Sequence, residues 1–385
     1  MTADNSPSSD FELAEQHRQH VLSKRLESQL KSLPSALPDA PEFEIQNPLG
    51  GLMPQILTTA VDPPAKSGDP VDFAKVAAGF PSQALGPTFI SYGPMLADRD
   101  LVFEEWESQI YGENGTVYNN QYCWLLRFDK GEVLEMREYN DSHHAALVFG
   151  SLGNWPELRP TSTPRRRSRK GMPVEPVPEE ELETVFPIDE VFTVDPAMLI
   201  DPTPSDDAPP LGKKLDKEGH KSLIRQLRRA RASGSQQAVN QFYAPGFRHF
   251  IAGHPPFGWD HLPLGEIYAP LVKHIDGPLQ LRFAEPLVEG NRIVEEIDSF
   301  ARLDDGTVYN NWHCLVHEVR DGKIVQTREY MDTRHMWVVL GRWADWGKVQ
   351  VSAPSRPRRS NLQGIASTIQ TPTFFLDLER WTAFK

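Results

Sequence analysis

The sequence predicts an α+β fold built as two tandem copies of one unit. Three observations predict it. Gly115–Gly150 and Gly306–Gly341 align without a gap at an offset of 191 positions, and about 15 of the 36 aligned residues are identical. Each copy reads as a long β-hairpin, two strand-prone runs around a tight Gly-containing turn. Helical apolar spacing precedes the second copy.

Taken in order, residues 1–68 form an N-terminal helix and an irregular extension. Phe11–Leu33 carries Leu13, Val21, Leu22, Leu26 and Leu30 at helical spacing. Residues 34–70 are rich in Pro and Gly and read as loops. The first repeat unit is 69–155. It opens on a helix from Asp69-Pro70 to about Ala84, with Pro in the first turn. Strands follow near Phe89 and over 101–110. The hairpin then turns at Asp129-Lys130-Gly131. Residues 156–214 are a Pro-rich, charged linker. It holds a basic run, Arg165–Lys170, and then an acidic one. Within it, Val185–Val194 has strand composition and is expected to add to a sheet edge.

The second unit is 215–345. His220–Phe242 reads as one helix, with Leu223, Leu227, Ala230, Ala238 and Phe242 apolar, and Tyr243–Glu266 as a loop. The first copy shows no sequence counterpart of this helix and loop, so it is expected to be remodelled. Strands near Leu281 and over 292–303 precede the hairpin, which turns at Asp321-Gly322. Residues 346–385 form a tail that, with Trp343 before it, carries Trp346, Phe374, Phe375 and Trp381.

Side chains alternate along a strand. Tyr309, Asn311, His313, Leu315 and His317 therefore share one face, and Val308, Asn310, Trp312, Cys314 and Val316 the other. The second set is expected to pack on its counterpart in the first copy. On the return strand Arg328, Tyr330 and Asp332 are in phase. Tyr, Asn, His, Arg and Asp among apolar neighbours is the composition of a ligand pocket wall.

The motifs Y-x-N-x-[YH], D-G-K-I and R-E-Y-x-D-[ST] resemble the C-terminal half of SnoaL-like, ketosteroid isomerase-like members of the nuclear transport factor 2-like superfamily. The resemblance implies two cone-shaped barrels, each a curved antiparallel sheet wrapped around helices and enclosing an apolar pocket. It implies a cofactor-independent lyase, isomerase or cyclase that abstracts a proton from a hydrophobic carbonyl-bearing small molecule. A non-catalytic binding or scaffold protein is the rival, because one fold hosts many functions.

Asp332 matches the family's acid/base Asp near the end of the last strand. A carboxylate in an apolar pocket is a stronger base. Capping of the following turn is the competing role. His313 suits a proton shuttle or a hydrogen-bonded core position. Tyr309 and Asn311 suit an oxyanion or a structural bond kept in both copies. Arg328 suits a substrate carboxylate or a cross-strand pair with Glu329, and Tyr330 stands beside it. His335 lies one turn past Asp332, placed to orient it. His254 and Trp259 fall in the segment that forms the pocket mouth in the family.

Composition bounds the rest. The chain has 385 residues, a formal net charge of −13 and 39% hydrophobic content. That is enough for two cores. The acidic balance, with a pI near 5.4, argues against a nucleic-acid partner. Two Cys, at equivalent repeat positions, make neither a disulfide framework nor a zinc motif. His313 and His317 lie four residues apart on a strand, about 13 Å, too far to share an ion. No metal and no cofactor are expected. There is no apolar leader or span, so the expected setting is cytoplasmic, and a nuclear import signal is the second reading of the basic run. The expected assembly is an internal pseudo-dimer, with a homodimer of whole chains as the second arrangement.

Overall fold

A computed structural model describes residues 7–32, 56–58, 89–93, 95–111, 117–142, 186–199, 214–252, 272–306, 308–333 and 335–336. The helix expected over 69–84, the mouth segment with His254 and Trp259, the basic run and the tail lie outside the described residues.

The order is α1 (Pro7–Ser32), β1 (Ile56–Thr58), β2 (Phe89–Tyr92), β3 (Leu96–Asp98), β4 (Leu101–Tyr111), β5 (Val117–Asp129) and β6 (Glu132–Asn140). Next come β7 (Glu190–Val194), a 3₁₀ turn (Pro196–Leu199), α2 (Lys217–Ala232), α3 (Gln236–Asn240) and β8 (Tyr243–Ile251). The chain continues with β9 (Leu279–Phe283), β10 (Leu287–Glu289), β11 (Arg292–Arg302), β12 (Val308–Arg320) and β13 (Lys323–Met331). They form two sheets. The first runs β1-β6-β5-β4-β2 with β3 on β4. The second runs β7-β9-β11-β12-β13-β8 with β10 on β11.

The hairpins form where the repeat predicts. Lys130 and Gly131, and Asp321 and Gly322, all have positive φ. Asp-Gly and similar pairs adopt this two-residue turn because its twist matches that of the strands. β7 adds antiparallel to β9, as its composition suggested.

Two sequence expectations are corrected. His220–Phe242 is not one helix. It breaks at Ser233-Gly234, where Gly234 has φ +70, into α2 and α3. Asp216 and Ser235 cap the two pieces by accepting from Gly219 N and Ala238 N. Tyr243–Ile251 is not a loop but the edge strand β8, parallel to β13. Its Pro245 and Gly246 sit where the register shifts, and an edge strand with an irregularity tolerates both. The first half also has a counterpart of β8: β1 pairs parallel with β6 in the same way. α1 packs against β3 and β4.

One face of each sheet meets the other. Trp312, Cys314, Val316 and Tyr330 pack with Leu96, Phe103, Cys123, Leu125 and Tyr139 in one buried cluster, as the alternation predicts. The opposite face of the second sheet carries Leu279, Leu281, Phe283, Ile297, Ala301, Tyr309, Leu315 and Met331. Below it, α2 and α3 bury Leu223, Ile224, Leu227 and Val239 against Val288, Ile293, Val319 and Ile324.

The polar contacts between the sheets are reciprocal at the repeat offset. Arg137 Nε donates to Glu296 and Arg328 Nε to Glu105, both at 2.6 Å. Tyr139 donates to Glu296 and Tyr330 to Glu105. Ser142 Oγ donates to Asp332 and Thr333 Oγ1 to Asp141, both at 2.6 Å. Ala97 N donates to Glu289 and Val288 N to Asp98. An exchange of equivalent partners is the signature of an isologous interface.

Candidate functional site

The chemistry-bearing groups collect on the inner face of the second sheet, the one turned away from the first. A register shift in the hairpin decides which they are. Arg320 pairs with Lys323 and Val319 with Ile324, but Glu318 pairs with Gln326. Val325 is the extra residue, a β-bulge. Beyond it, His313 lies opposite Met331 and Leu315 opposite Glu329. The return strand therefore presents Thr327, Glu329 and Met331 inward, not Arg328 and Tyr330.

This corrects two expected binding residues. Arg328 and Tyr330 lie between the sheets, where both donate to Glu105. Arg328 does not pair with Glu329, which points to the other face. Burial works against the Arg328 charge, but the Glu105 carboxylate outweighs it and raises the guanidinium above its ordinary value. The Tyr330 hydroxyl, buried beside that carboxylate, is raised as well.

Glu329 is the centre of the inner face. Its Oε1 lies 2.6 Å from His313 Nδ1 and its Oε2 lies 2.8 Å from His249 Nε2. All three residues are buried. Burial alone would raise the carboxyl. The hydrogen bonds from His249 and His313 reverse that and hold it well below the usual carboxylate range. An ionised carboxylate only accepts, so His313 carries its proton on Nδ1 there. His313 Nε2 then faces Ser299 Oγ at 3.0 Å. Ser299 Oγ also lies 3.1 Å from the Asn311 carbonyl, to which it donates in an alternative orientation of its single proton.

A second layer sits toward α2. Arg228 Nε donates to Glu295 Oε1 at 2.8 Å, and His317 Nε2 meets Glu295 Oε2 at 2.8 Å. His317 Nδ1 lies 2.8 Å from the Thr327 hydroxyl. Burial pushes Glu295 up, but Arg228 and His317 overcome it and bring the carboxyl down to about 2. Burial lowers His317 despite Glu295. Arg228 also reaches Glu190 on β7 and the Ala284 carbonyl, and so ties that strand to the helix.

The other expected residues are placed as follows. Asp332 accepts from Ser142 Oγ and, at 2.9 Å, from His335 N. Its carbonyl accepts from Met336 N. These are the contacts of a turn cap at the junction of the sheets. Asn311 clasps Asp332, Nδ2 to O and Oδ1 from N, each at 3.1 Å. Asn120 clasps Asp141 in the same way. Tyr309 lies on the inner face with Asn311 Nδ2 at 3.3 Å and the His335 ring stacked on it. His335 thus reaches Asp332 through its backbone, not its ring.

The first half differs on the equivalent face. Tyr122 stands for His313, Trp124 for Leu315 and Trp106 for Ile297. Trp106 stacks on Tyr122 at 3.8 Å between centroids. Glu138, the counterpart of Glu329, accepts from the Trp124 indole at 2.7 Å and from Asn140 at 2.9 Å. Sequence reasoning named neither Glu329 as an inner-face group nor His249 nor Ser299 as site residues. The bulge hid the first, and the loop reading of Tyr243–Glu266 hid the second. The only sequence signal at Ser299 is its identity with Ser108 at the repeat offset.

No family model and no curated protein matches the sequence. Among solved structures, the chain is similar to AclR of Streptomyces galilaeus. Identity is 16% over 33% of this chain and 98% of that one, with a TM-score of 0.28. It is similar to an NTF2-like protein of unknown function from Burkholderia pseudomallei, at 19% identity over 32% and 97%, TM-score 0.27. It is also similar to an LEH-like epoxide hydrolase of M. tuberculosis, at 17% over 33% and 92%, TM-score 0.24. No helix among the described residues is long and apolar enough to cross a membrane.

Proposed function

We propose that the chain is two tandem SnoaL-like, NTF2-like copies joined as an internal pseudo-dimer, each a cone-shaped α+β barrel. The first copy is remodelled and the second is a cofactor-independent enzyme. The reciprocal contacts at the repeat offset support the pseudo-dimer. In this reading the enzyme moves a proton on a hydrophobic carbonyl-bearing small molecule, as a lyase, isomerase or cyclase does. His313 is the base, Glu329 fixes its tautomer, and Tyr309 is the donor to the enolate oxygen.

One observation carries it. A buried carboxylate bridges two imidazoles beside an apolar cluster, whereas the first half keeps the carboxylate as Glu138 but sets Trp124 against it and Tyr122 at the place of His313. A buried ionic cluster is costly to hold, and an apolar replacement of similar volume is often neutral or stabilising. An imidazole on the carboxylate in one copy, with Tyr at that place in the other, is what a retained activity would leave.

The test starts from a thermal-shift screen of the full chain against aromatic polyketides, steroidal ketones and terpenoid ketones, since a ligand of the native state raises Tm. Each binder is then incubated in D₂O. An enzyme that abstracts the proton next to the carbonyl exchanges it for deuterium, read by NMR. The expected result is exchange in wild type and loss by about 10²–10⁴-fold in His313→Gln. Equal exchange in both would overturn the reading. Binding without exchange would favour the binding or scaffold protein.

A further inference from the structure

We propose that Ser299, His313 and Glu329 also form a nucleophilic triad, which gives the chain an acyl-transfer activity toward hydrophobic carboxylic esters. The geometry is that of an activated hydroxyl: nucleophile to base at 3.0 Å, and base to orienting carboxylate at 2.6 Å. The contacts use the two nitrogens of the imidazole in the required order, Nε2 to the hydroxyl and Nδ1 to the carboxylate. Three neighbouring strands supply the three groups. Ser299 lies on β11, His313 on β12 and Glu329 on β13, and the ladders pair Ser299 with Asn311 and Leu315 with Glu329. The sheet thus sets the spacing. His249 occupies the second carboxylate oxygen at 2.8 Å and keeps the first turned to His313. The first half keeps the Ser and Glu positions, as Ser108 and Glu138, but has Tyr122 in place of the base.

In the reaction, Ser299 Oγ adds to the ester carbonyl carbon while its proton passes to His313 Nε2. Collapse breaks the acyl C–O bond, and the leaving alcohol takes that proton. Water then adds to the acyl-Ser299, giving its proton to His313. The carboxylic acid leaves and Ser299 recovers the proton. Each cycle consumes one ester and one water, with no redox partner. The hydroxyl proton that otherwise goes to the Asn311 carbonyl is the one transferred. The activity rests on the same base, His313, as the proton-abstraction reading but needs no carbon acid, so labelling and proton exchange distinguish the two.

The full chain is treated with a fluorophosphonate probe and mapped by peptide mass spectrometry. In parallel, p-nitrophenyl butyrate hydrolysis is followed. The expected result is one label per chain, on Ser299. Label and hydrolysis are lost in Ser299→Ala, and labelling slows by about 10²–10⁴-fold in His313→Gln. Ser299→Cys keeps a nucleophile beside His313 and should be alkylated by iodoacetamide faster than Cys123 and Cys314, whose thiols burial pushes up. A cooperatively folded chain with no label on Ser299 overturns the proposal, and so does a label indifferent to His313→Gln. Label without α-proton exchange would sink only the proton-abstraction reading. Exchange without label would sink only this one.

Discussion

Arg328 and Glu105 are 223 positions apart and meet at 2.6 Å between the sheets. Arg137 and Glu296 repeat the bond at the same distance. Both pairs are buried, but Arg137 also donates to Glu135, where the second copy has Gln326. Removing one member of such a pair strands the other and costs about 3–5 kcal/mol. Glu105→Gln should therefore destabilise the chain in that range, and Glu296→Gln by less because Glu135 still faces Arg137, both read by urea denaturation. Arg328→Met in the Glu105→Gln background should recover part of the loss. Equal single-mutant costs would show that Glu135 does nothing to solvate Arg137.

Much of this interface was legible in the sequence, and the reason is physical. Strand alternation has a period of two, so Trp312 and Cys314 share a face once β12 is recognised. The error lay in carrying the phase across the turn. Extrapolating the Asp321-Gly322 hairpin without a bulge sets His313 opposite Tyr330. The extra residue Val325 sets it opposite Met331 and turns the whole return strand over. Leu134 does the same in the first copy, where Phe128 pairs with Val133 but Arg127 with Glu135. Nothing in the local composition marks a bulge. The R-E-Y motif spans both faces: its Glu points inward and its Arg and Tyr point to the first sheet.

That argument makes a prediction. Deleting Val325 should put Arg328 and Tyr330 on the inner face and Glu329 between the sheets, next to Glu105 and Glu296. The deletion variant should fail to give the cooperative unfolding transition of wild type, while Val325→Thr, which keeps the count, should fold. A folded deletion variant would mean that the register is set elsewhere.

Acid should destabilise the chain through the layer at α2. Glu295 has its carboxyl lowered to about 2, so the unfolded chain takes up that proton first, near pH 4.3. Its contribution is present above pH 4.3 and is lost as pH falls toward 2. His317 is also lowered in the fold, so its unfolded form binds a proton first, from about pH 6.5 downward. Both slopes have the same sign: stability falls as pH falls. Denaturation midpoints measured from pH 7 to pH 3 should decline in wild type. They should decline less in His317→Asn between pH 6.5 and 5, and less in Glu295→Gln below pH 4.5. A wild-type profile flat to pH 3 would contradict both shifts.

Asp332 and Asp141 provide the sharpest contrast between chemistry and architecture. Each sits at the end of a return strand, and the two are paired by an isolated antiparallel bridge. Each accepts the hydroxyl of the residue that follows the other, Ser142 or Thr333. Asp332 Oδ1 accepts from both Ser142 and the His335 amide, and that amide bond is the pattern of a cap. Asn caps nearly as well as Asp. Asp332→Asn and Asp141→Asn should therefore each cost about 1 kcal/mol or less, and α-proton exchange should stay within about twofold of wild type. His313→Gln in the same assay should lower it by about 10²–10⁴-fold. Exchange lost in Asp332→Asn but kept in Asp141→Asn, with both variants folded, would return the base to Asp332 and leave His313 a buried structural histidine.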